Sequence, residues 1–581
     1  MEFDKPAGEP DDRIGWVSDV AAQMLRRLGF RYVSLNPGAS YRGLHDSIVN
    51  HLGNERPSML LCVHEDHAVG IAQGYGKATG EPMACILHSN VGLMHGMMGI
   101  FNAWCDRVPI FLLGATGPVD SAKRRPWVDW IHTAADQGGM IRNIVKFDNQ
   151  PASAAAMIDA MCRANAMART LPKAPVYVCL DAGLQEARLD EDIVWPDLAK
   201  FQPASEPTAT RGDIRKAADM LLAAKSPLIC FGRGSRRQTD WDARVALAER
   251  LGAVVMTDAR TSAVFPTDHR AHVAPPIGGG SAINRSIVDK ADLILALEWP
   301  DLGGLAHPPG VTPATAKIIN VSLDHALHNG AHMVFQQTPA VDLFLGASGD
   351  MVVHDLLEAL GPGKGEPWHG PAPVVGHADP DRITIRQVAD SLRACFDDPD
   401  AVSLSTVCHG WPNDIWPFRS PLAYFGKDGG GGIGSGPSIA VGVALAMQDH
   451  ERPTVTVLGD GDFLMGGHAL WTAVHCRIPM LVLINNNRSY MNDELHQDAV
   501  ARDRNRPVEN RWVGQRTSNP DIDLATFARS QGATGIGPVR APSEVDDALR
   551  RGVEILRNGG VCLIDLHIDP PAGRTVAKRM Q

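Results

Sequence analysis

Short apolar runs, five or six residues long, recur along the whole chain, each leading through a glycine-rich turn into an amphipathic helical stretch. A strand buried on both faces reads as a continuous apolar run rather than an alternation. Parallel neighbours need a long crossover between them, usually a helix. Strands alternating with helices therefore dictate α/β domains with doubly wound parallel sheets.

At 581 residues the chain is too long for one core. The apolar runs fall into three blocks, separated by "WPDLAKFQPASEPTAT" and "GPGKGEPWHGPAPVVGHADP", both rich in proline or glycine. The expected domains are residues 1–190, 191–365 and 366–570, with a basic tail at 571–581 that is a candidate lid. The first block carries "SMLLCV", "MACIL", "PIFLL" and "APVYVCL" as strands, the second "PLICF", "AVVMT", "LILAL" and "KIINV", the third "AVSLS", "TVTVL", "MLVLI" and "GVCLIDL". A formal charge of −11 argues against nucleic acid as a partner. No apolar run approaches the roughly 18 residues of a membrane span, and the charged start lacks a signal-peptide core. The cysteines sit mostly inside apolar runs with no C-x-x-C pair, which reads as core thiols of a cytoplasmic protein.

The most informative stretch is "VLGDGDFLMGGHALWTAVHCRIPMLVLINNNRSY", Val457 to Tyr490. "TVTVL" is a buried strand closed by Gly459-Asp460-Gly461, "GGHALWTAVHCR" has helical spacing, and "MLVLI" is the next strand, ending in three asparagines. This is one βαβ unit, so Asp460 and the asparagines should face one site at the carboxyl edge of a sheet, where open α/β sheets bind ligands. One carboxylate with amide and backbone carbonyl oxygens suits Mg²⁺ or Ca²⁺ and leaves positions for phosphate oxygens. The glycines and the helix start that follows suit a phosphate as well.

Gly-Asp-Gly, a helix and an asparagine cluster at this spacing resemble the thiamine-diphosphate motif of the 2-oxo acid decarboxylase and acetolactate synthase family. In that family the Asp, the second Asn and a carbonyl two residues later hold Mg²⁺ on the diphosphate. Three asparagines leave the register open; "ALWTA", as in benzoylformate decarboxylases, places the metal ligands at Asp460, Asn487 and Ser489, with Gly459, Gly461 and Asp462 at the cofactor. Arg488 departs from the small residue common at its position.

The resemblance requires a second half-site: a glutamate that hydrogen-bonds N1′ of the aminopyrimidine and so activates the cofactor. "SMLLCVHEDHAVGIAQGYGKATGEP" resembles the family's signature and supplies Glu65. His88, in "ACILHSN", lies one βαβ step further and matches the proton-transfer histidine of the benzoylformate enzymes, with Asn90 and Asn102 as weaker candidates. "NPGAS" matches the first loop, although Ala39 stands where a substrate contact is usual. "DGGGGIGSGPSIAVGVALA" places Ile433 as the apolar wedge beneath the cofactor rings, with Gly432 beside the pyrimidine; "STVCHGW" places His409 and Gly410 near the diphosphate.

For substrate, "RRPWVDWIHTAADQ" offers Trp127, Trp130, His132 and Gln137, and "YMNDELHQ" offers Tyr490 and either Glu494 or Asp493 as proton carrier or helix cap. "CFGRGSRR" resembles a nucleotide-binding turn without the full fingerprint, so FAD or ADP in the middle domain stays open, with an empty domain as the default. The resemblance implies a homodimer or homotetramer with sites at subunit interfaces. It implies decarboxylation of a 2-oxo acid, with carboligase chemistry open. The rivals are an acetolactate-synthase-like carboligase and a 2-hydroxyacyl-CoA lyase, the latter using Arg574, Lys578 and Arg579 of the tail on a CoA phosphate. A cofactor-binding protein without catalysis is the reading of another class, and an intact Glu65 argues against it. A dinucleotide oxidoreductase would need a proper GxGxxG fingerprint between a strand and a helix with its acidic partner, which is not found.

Overall fold

The computed structural model describes residues 4–190, 192–273, 282–306, 314–327, 340–370, 379, 381–408 and 410–568. Three sheets form, and every pairing in them is parallel.

The first holds β1 (Tyr32–Leu35), β2 (Ser58–Leu61), β3 (Met83–Leu87), β4 (Ile110–Thr116), β5 (Phe147–Asn149) and β6 (Val176–Asp181) in the order β2-β1-β3-β4-β6-β5. The second holds β7 (Pro227–Phe231), β8 (Val254–Thr257), β9 (Leu293–Leu297), β10 (Lys317–Val321) and β11 (Leu343–Leu345), ordered β11-β10-β9-β7-β8. The third holds β12 (Ser403–Leu404), β13 (Thr454–Gly459), β14 (Met480–Asn486), β15 (Thr534–Val539) and β16 (Val561–His567), ordered β12-β13-β14-β16-β15. The strand order of the first sheet reverses between β1 and β3, which opens a ligand crevice at their carboxyl ends.

Two helices join the first and third sheets. Glu65–Thr79 starts with His64 accepting a hydrogen bond from the Asp66 N–H and stops at Gly80, whose φ of 73° ends the helix in the left-handed region. It packs against the Gly436–Met447 helix so closely that no side chain fits along part of the seam. A Cβ on Gly74 would lie 2.0 Å from the Ile439 carbonyl oxygen, and one on Gly442 would lie 2.0 Å from that of Ile71. Gly442 and Gly74 are thus fixed by packing rather than by chain conformation.

The first and second sheets meet through Asp324, which accepts from Arg107 at 2.7 Å and from Arg233 at 3.2 Å. Among the described residues no helix is long and apolar enough to cross a membrane. All ten cysteines are free, and all but Cys395 and Cys408 are buried.

Candidate active site

The third sheet builds one half of the site. β13 pairs with β14 with Gly459 opposite Asn485, so Asp460 and the asparagines emerge together. Gly-Asp-Gly is not a free turn: Asp460 opens the Asp460–Gly466 helix directly, and a second helix, Ala469–His475, follows after a break at Gly467. The helix expected over "GGHALWTAVHCR" is thus preceded by an unforeseen one, whose last residue, Gly466, lies so near the Gly434 carbonyl that a Cβ would come within 1.9 Å.

Asp460 is buried, and desolvation pushes its carboxyl up to about 6. Its Oδ2 accepts from the Ser489 N–H at 3.1 Å and the Thr517 hydroxyl at 3.4 Å; among the described residues no cation pairs with it. The three asparagines divide by strand alternation. Asn486 turns inward, donating to the buried Asp565 at 2.8 Å and accepting from the Arg488 N–H at 3.0 Å. The carbonyl oxygens of Asn485 and Asn487 are buried without a donor. An acceptor-only oxygen beside an unpaired carboxylate fits a hard cation. Nothing approaches within 4 Å of where a Cβ on Gly459 would sit, so its backbone lies open, whereas Gly461 is covered by the Tyr490 ring. Tyr490 therefore packs on the Gly459–Gly461 turn.

Asp462 secures the glycine-rich segment: its Oδ1 accepts from the N–H groups of Gly434, at 2.6 Å, and Gly436, at 3.3 Å. Gly434 has a φ of +104°, which a side chain rarely tolerates. From the other side Asn102 of the Asn90–Asp106 helix accepts from Gly430 at 3.1 Å and donates to Ser435 at 3.0 Å. Ile433 is held out between these anchors, 46% exposed. Beside β12 a cavity of ≈ 190 Å³ is lined by Gly410, Trp411, Arg260 and Lys427, among others. His409 lies outside the described residues, as does the tail with Arg574, Lys578 and Arg579.

The first sheet builds the other half, at its crevice. Glu65 is buried at a helix start and bonds His95 Nδ1 at 3.1 Å. His88 follows β3 and bonds the Ser40 hydroxyl at 2.8 Å, its ring edge-on to His132 at 4.8 Å. Burial holds the His88 imidazole below its usual value, His132 acting in the same direction. Gly92 lies between His88 and Glu65: a Cβ there would meet His88 at 2.9 Å and the Glu65 carboxylate at 3.0 Å. Ser40 and His95 were missed by sequence reasoning. Their signals were the loop after β1 and a histidine two helical turns past His88.

The remaining expected residues differ in their surroundings. Gln137 is fully buried, donating to the Ala115 carbonyl at 2.9 Å and the Tyr177 hydroxyl at 2.8 Å, so it braces the first sheet rather than lining a pocket. Glu494 is 0% exposed; it accepts from Ser489 Oγ at 2.6 Å and Arg516 at 3.1 Å, with Arg511 at 3.5 Å. That arrangement anchors the segment that carries Ser489. Trp127 and Trp130, 81% and 69% exposed, stand on a loop stiffened by Arg125–Asp129 at 2.9 Å and by Asn90 bonding the Ile131 carbonyl at 3.1 Å.

In the turn "CFGRGSRR" the N–H groups of Gly232 and Arg233 donate to the Leu297 and Glu298 carbonyls. Gly232 lies so near the Glu298 carbonyl that a Cβ would come within 2.0 Å, which closes the crevice between β7 and β9. Ser235 N–H donates to Asp350 at 2.9 Å, and Arg244 pairs with Asp350 at 2.8 Å.

Models of the thiamine pyrophosphate enzyme match in order: the N-terminal TPP binding domain over residues 15–140, the central domain over 214–338 and the C-terminal TPP binding domain over 405–566. The chain belongs to the thiamine pyrophosphate enzyme family. It is 26% identical to benzoylformate decarboxylase of Pseudomonas aeruginosa over 495 residues, covering 82% of this chain and 86% of that one. It is 22% identical to the acetolactate synthase isozyme 3 large subunit of Escherichia coli, over 95% and 94% of the two chains. The crystal structure of benzoylformate decarboxylase from Polynucleobacter necessarius superposes with a TM-score of 0.80 at 21% identity, over 97% of this chain and 100% of that one.

Proposed function

We propose that this member of the family depends on thiamine diphosphate and Mg²⁺ and cleaves the carbon–carbon bond beside a carbonyl, as a decarboxylase of 2-oxo acids. The observation that carries the reading is the pairing of buried Asp460 with the donorless carbonyl oxygen of Asn487. Asp460, Asn487 and the Ser489 carbonyl would hold Mg²⁺, and the open backbone at Gly459 supports a diphosphate there. Bound in this way, thiamine diphosphate supplies the nucleophilic carbon and the electron sink. Glu65 would hydrogen-bond the aminopyrimidine, and Ile433 would support the cofactor's shape from beneath its rings. His88, held neutral by burial and oriented by Ser40, moves a proton at the substrate. Glu494 positions the Ser489 loop. The rigid loop carrying Trp127 and Trp130 beside His132 supports a substrate with a bulky apolar acyl group. The middle domain carries no nucleotide in this reading, because carboxylates occupy the turn where a phosphate would sit.

We infer that two chains complete the site. Glu65 lies at the Gly92–His95 turn of the Asn90–Asp106 helix, and the Ile433 loop lies at Asn102. Seven residues of helix separate His95 from Asn102, about 10 Å at 1.5 Å per residue. By the family resemblance, each chain's Glu65 would serve the partner's cofactor in a dimer.

The test is product analysis with thiamine diphosphate, Mg²⁺ and a panel of 2-oxo acids, aromatic acids included. Glu65→Gln should abolish turnover while cofactor still binds through the diphosphate. Turnover that survives in Glu65→Gln overturns the mechanism.

A further inference from the structure

A second cluster of metal-ligating groups lies apart from Asp460, on the opposite half-site. His64, Glu65 and His95 each offer a ligand atom, and these atoms all lie within 4.8 Å of one another. The His64 and His95 rings stack at 5.0 Å and 21°, so both imidazoles flank the same carboxylate. The His95 Nδ1 to Glu65 distance of 3.1 Å is close to the roughly 3.3 Å between two ligands on one tetrahedral Zn²⁺. His95 is half exposed, which gives an ion a way in. Asp66, one residue further on, adds a second carboxylate that offsets the positive end of the helix dipole.

We propose that His64, Glu65 and His95 form a site for a borderline transition-metal dication of the zinc class, and that its occupancy withdraws the Glu65 carboxylate from cofactor activation. The withdrawal rests on the role proposed for Glu65; the metal site does not. Two imidazoles and a carboxylate select Zn²⁺, Co²⁺ or Ni²⁺, whereas the all-oxygen set at Asp460 selects Mg²⁺. The two cations therefore sort between the half-sites by ligand chemistry. Binding at His64 through Nδ1 would displace its cap bond to the Asp66 N–H, now 3.2 Å.

The experiment uses the full chain freed of cofactor, with Mg²⁺ in excess and Co²⁺ as the spectroscopic probe. Visible d–d absorption of nitrogen-ligated Co²⁺ should appear and be erased by Zn²⁺. His64→Asn and His95→Asn should each weaken it roughly tenfold or more, the loss of one ligand. Thiamine diphosphate added first should raise the Co²⁺ concentration needed. No Co²⁺ band, or one that survives both variants, overturns the site. A band indifferent to the cofactor overturns the withdrawal of Glu65. Turnover retained by Glu65→Gln would instead overturn the proposed mechanism, leaving the band's own test standing.

Discussion

Replacing Gly442 with alanine tests whether the seam between the Glu65–Thr79 and Gly436–Met447 helices sets the geometry of both half-sites. By propensity alone the change should help, since alanine is about 1 kcal/mol better than glycine inside a helix. The structure reverses the sign. The new Cβ would lie 2.0 Å from the Ile71 oxygen, 2.8 Å from its carbonyl carbon and 2.8 Å from the Tyr75 nitrogen, all backbone atoms that no rotamer change can move. Restoring ordinary contact at 3.4 Å requires the helices to part by about 1.4 Å. Overpacking of this kind costs about 1–3 kcal/mol, and a gap near 1 Å forfeits up to about half of each neighbouring dispersion contact. The net expectation is destabilisation of about 2 kcal/mol. One helix begins at Glu65 and the other follows the Ile433 loop, so the same shift misplaces both groups, and about 1 Å of misplacement can cost about 100-fold in turnover. The assay is thermal unfolding and kcat, beside Gly212→Ala as control. Gly212 lies in the Arg211–Ala223 helix with only the Thr210 hydroxyl, at 3.7 Å, near its virtual Cβ, so that change should be neutral or stabilising. Gly442→Ala melting at or above the wild type with kcat intact would refute the reasoning.

The asparagine register has its own test. Asn487→Ala should raise the Mg²⁺ concentration needed for cofactor retention roughly tenfold or more with little loss of stability, measured by tryptophan quenching on cofactor titration. Asn486→Ala should instead lower stability by about 1–3 kcal/mol, by removing a donor from buried Asp565; the opposite pattern would move the ligand to Asn486. In the middle domain, desolvation and nearby Asp324 push the Glu298 carboxyl up to about 8 from an ordinary 4.5. A proton bound more tightly in the folded state stabilises at low pH, and that stability is lost as pH rises from 4.5 through 8. Glu298→Gln, which keeps an acceptor for the Leu323 N–H at 3.2 Å, should flatten that decline in melting temperature, and an unchanged slope would contradict it.

What could be read from the residues follows burial. The strands found as apolar runs, such as β3, β4, β9 and β14, are interior to their sheets and buried nearly throughout. β5, β11 and β15 escaped notice because each is an edge strand with exposed positions, so none carries a continuous apolar run. The chemistry divides in the same way. Asp460, Asn487, Glu65 and His88 stand at strand ends, where topology alone assigns a common edge. Glu494 and Gln137 are placed by partners distant in sequence or in the fold, Arg511 and Arg516 for the one, Tyr177 for the other, and no local pattern reveals that these polar groups are consumed.

The same distinction explains why the substrate is the least legible part. Cofactor recognition needs a metal loop, a wedge and an activating carboxylate, each fixed by a strand end or by a backbone approach that only glycine permits. In the proposed reading substrate contacts come from a loop whose side chains face outward: Trp127 and Trp130 are largely exposed, and the backbone beneath them is held by Asp129 and Asn90. A rigid frame with free outward positions allows the acyl pocket to change without touching the chemistry. In the proposed reading Trp127, Trp130 and His132 bear on the acyl group, while Glu65, His88 and Asp460 serve the cofactor and the proton transfer.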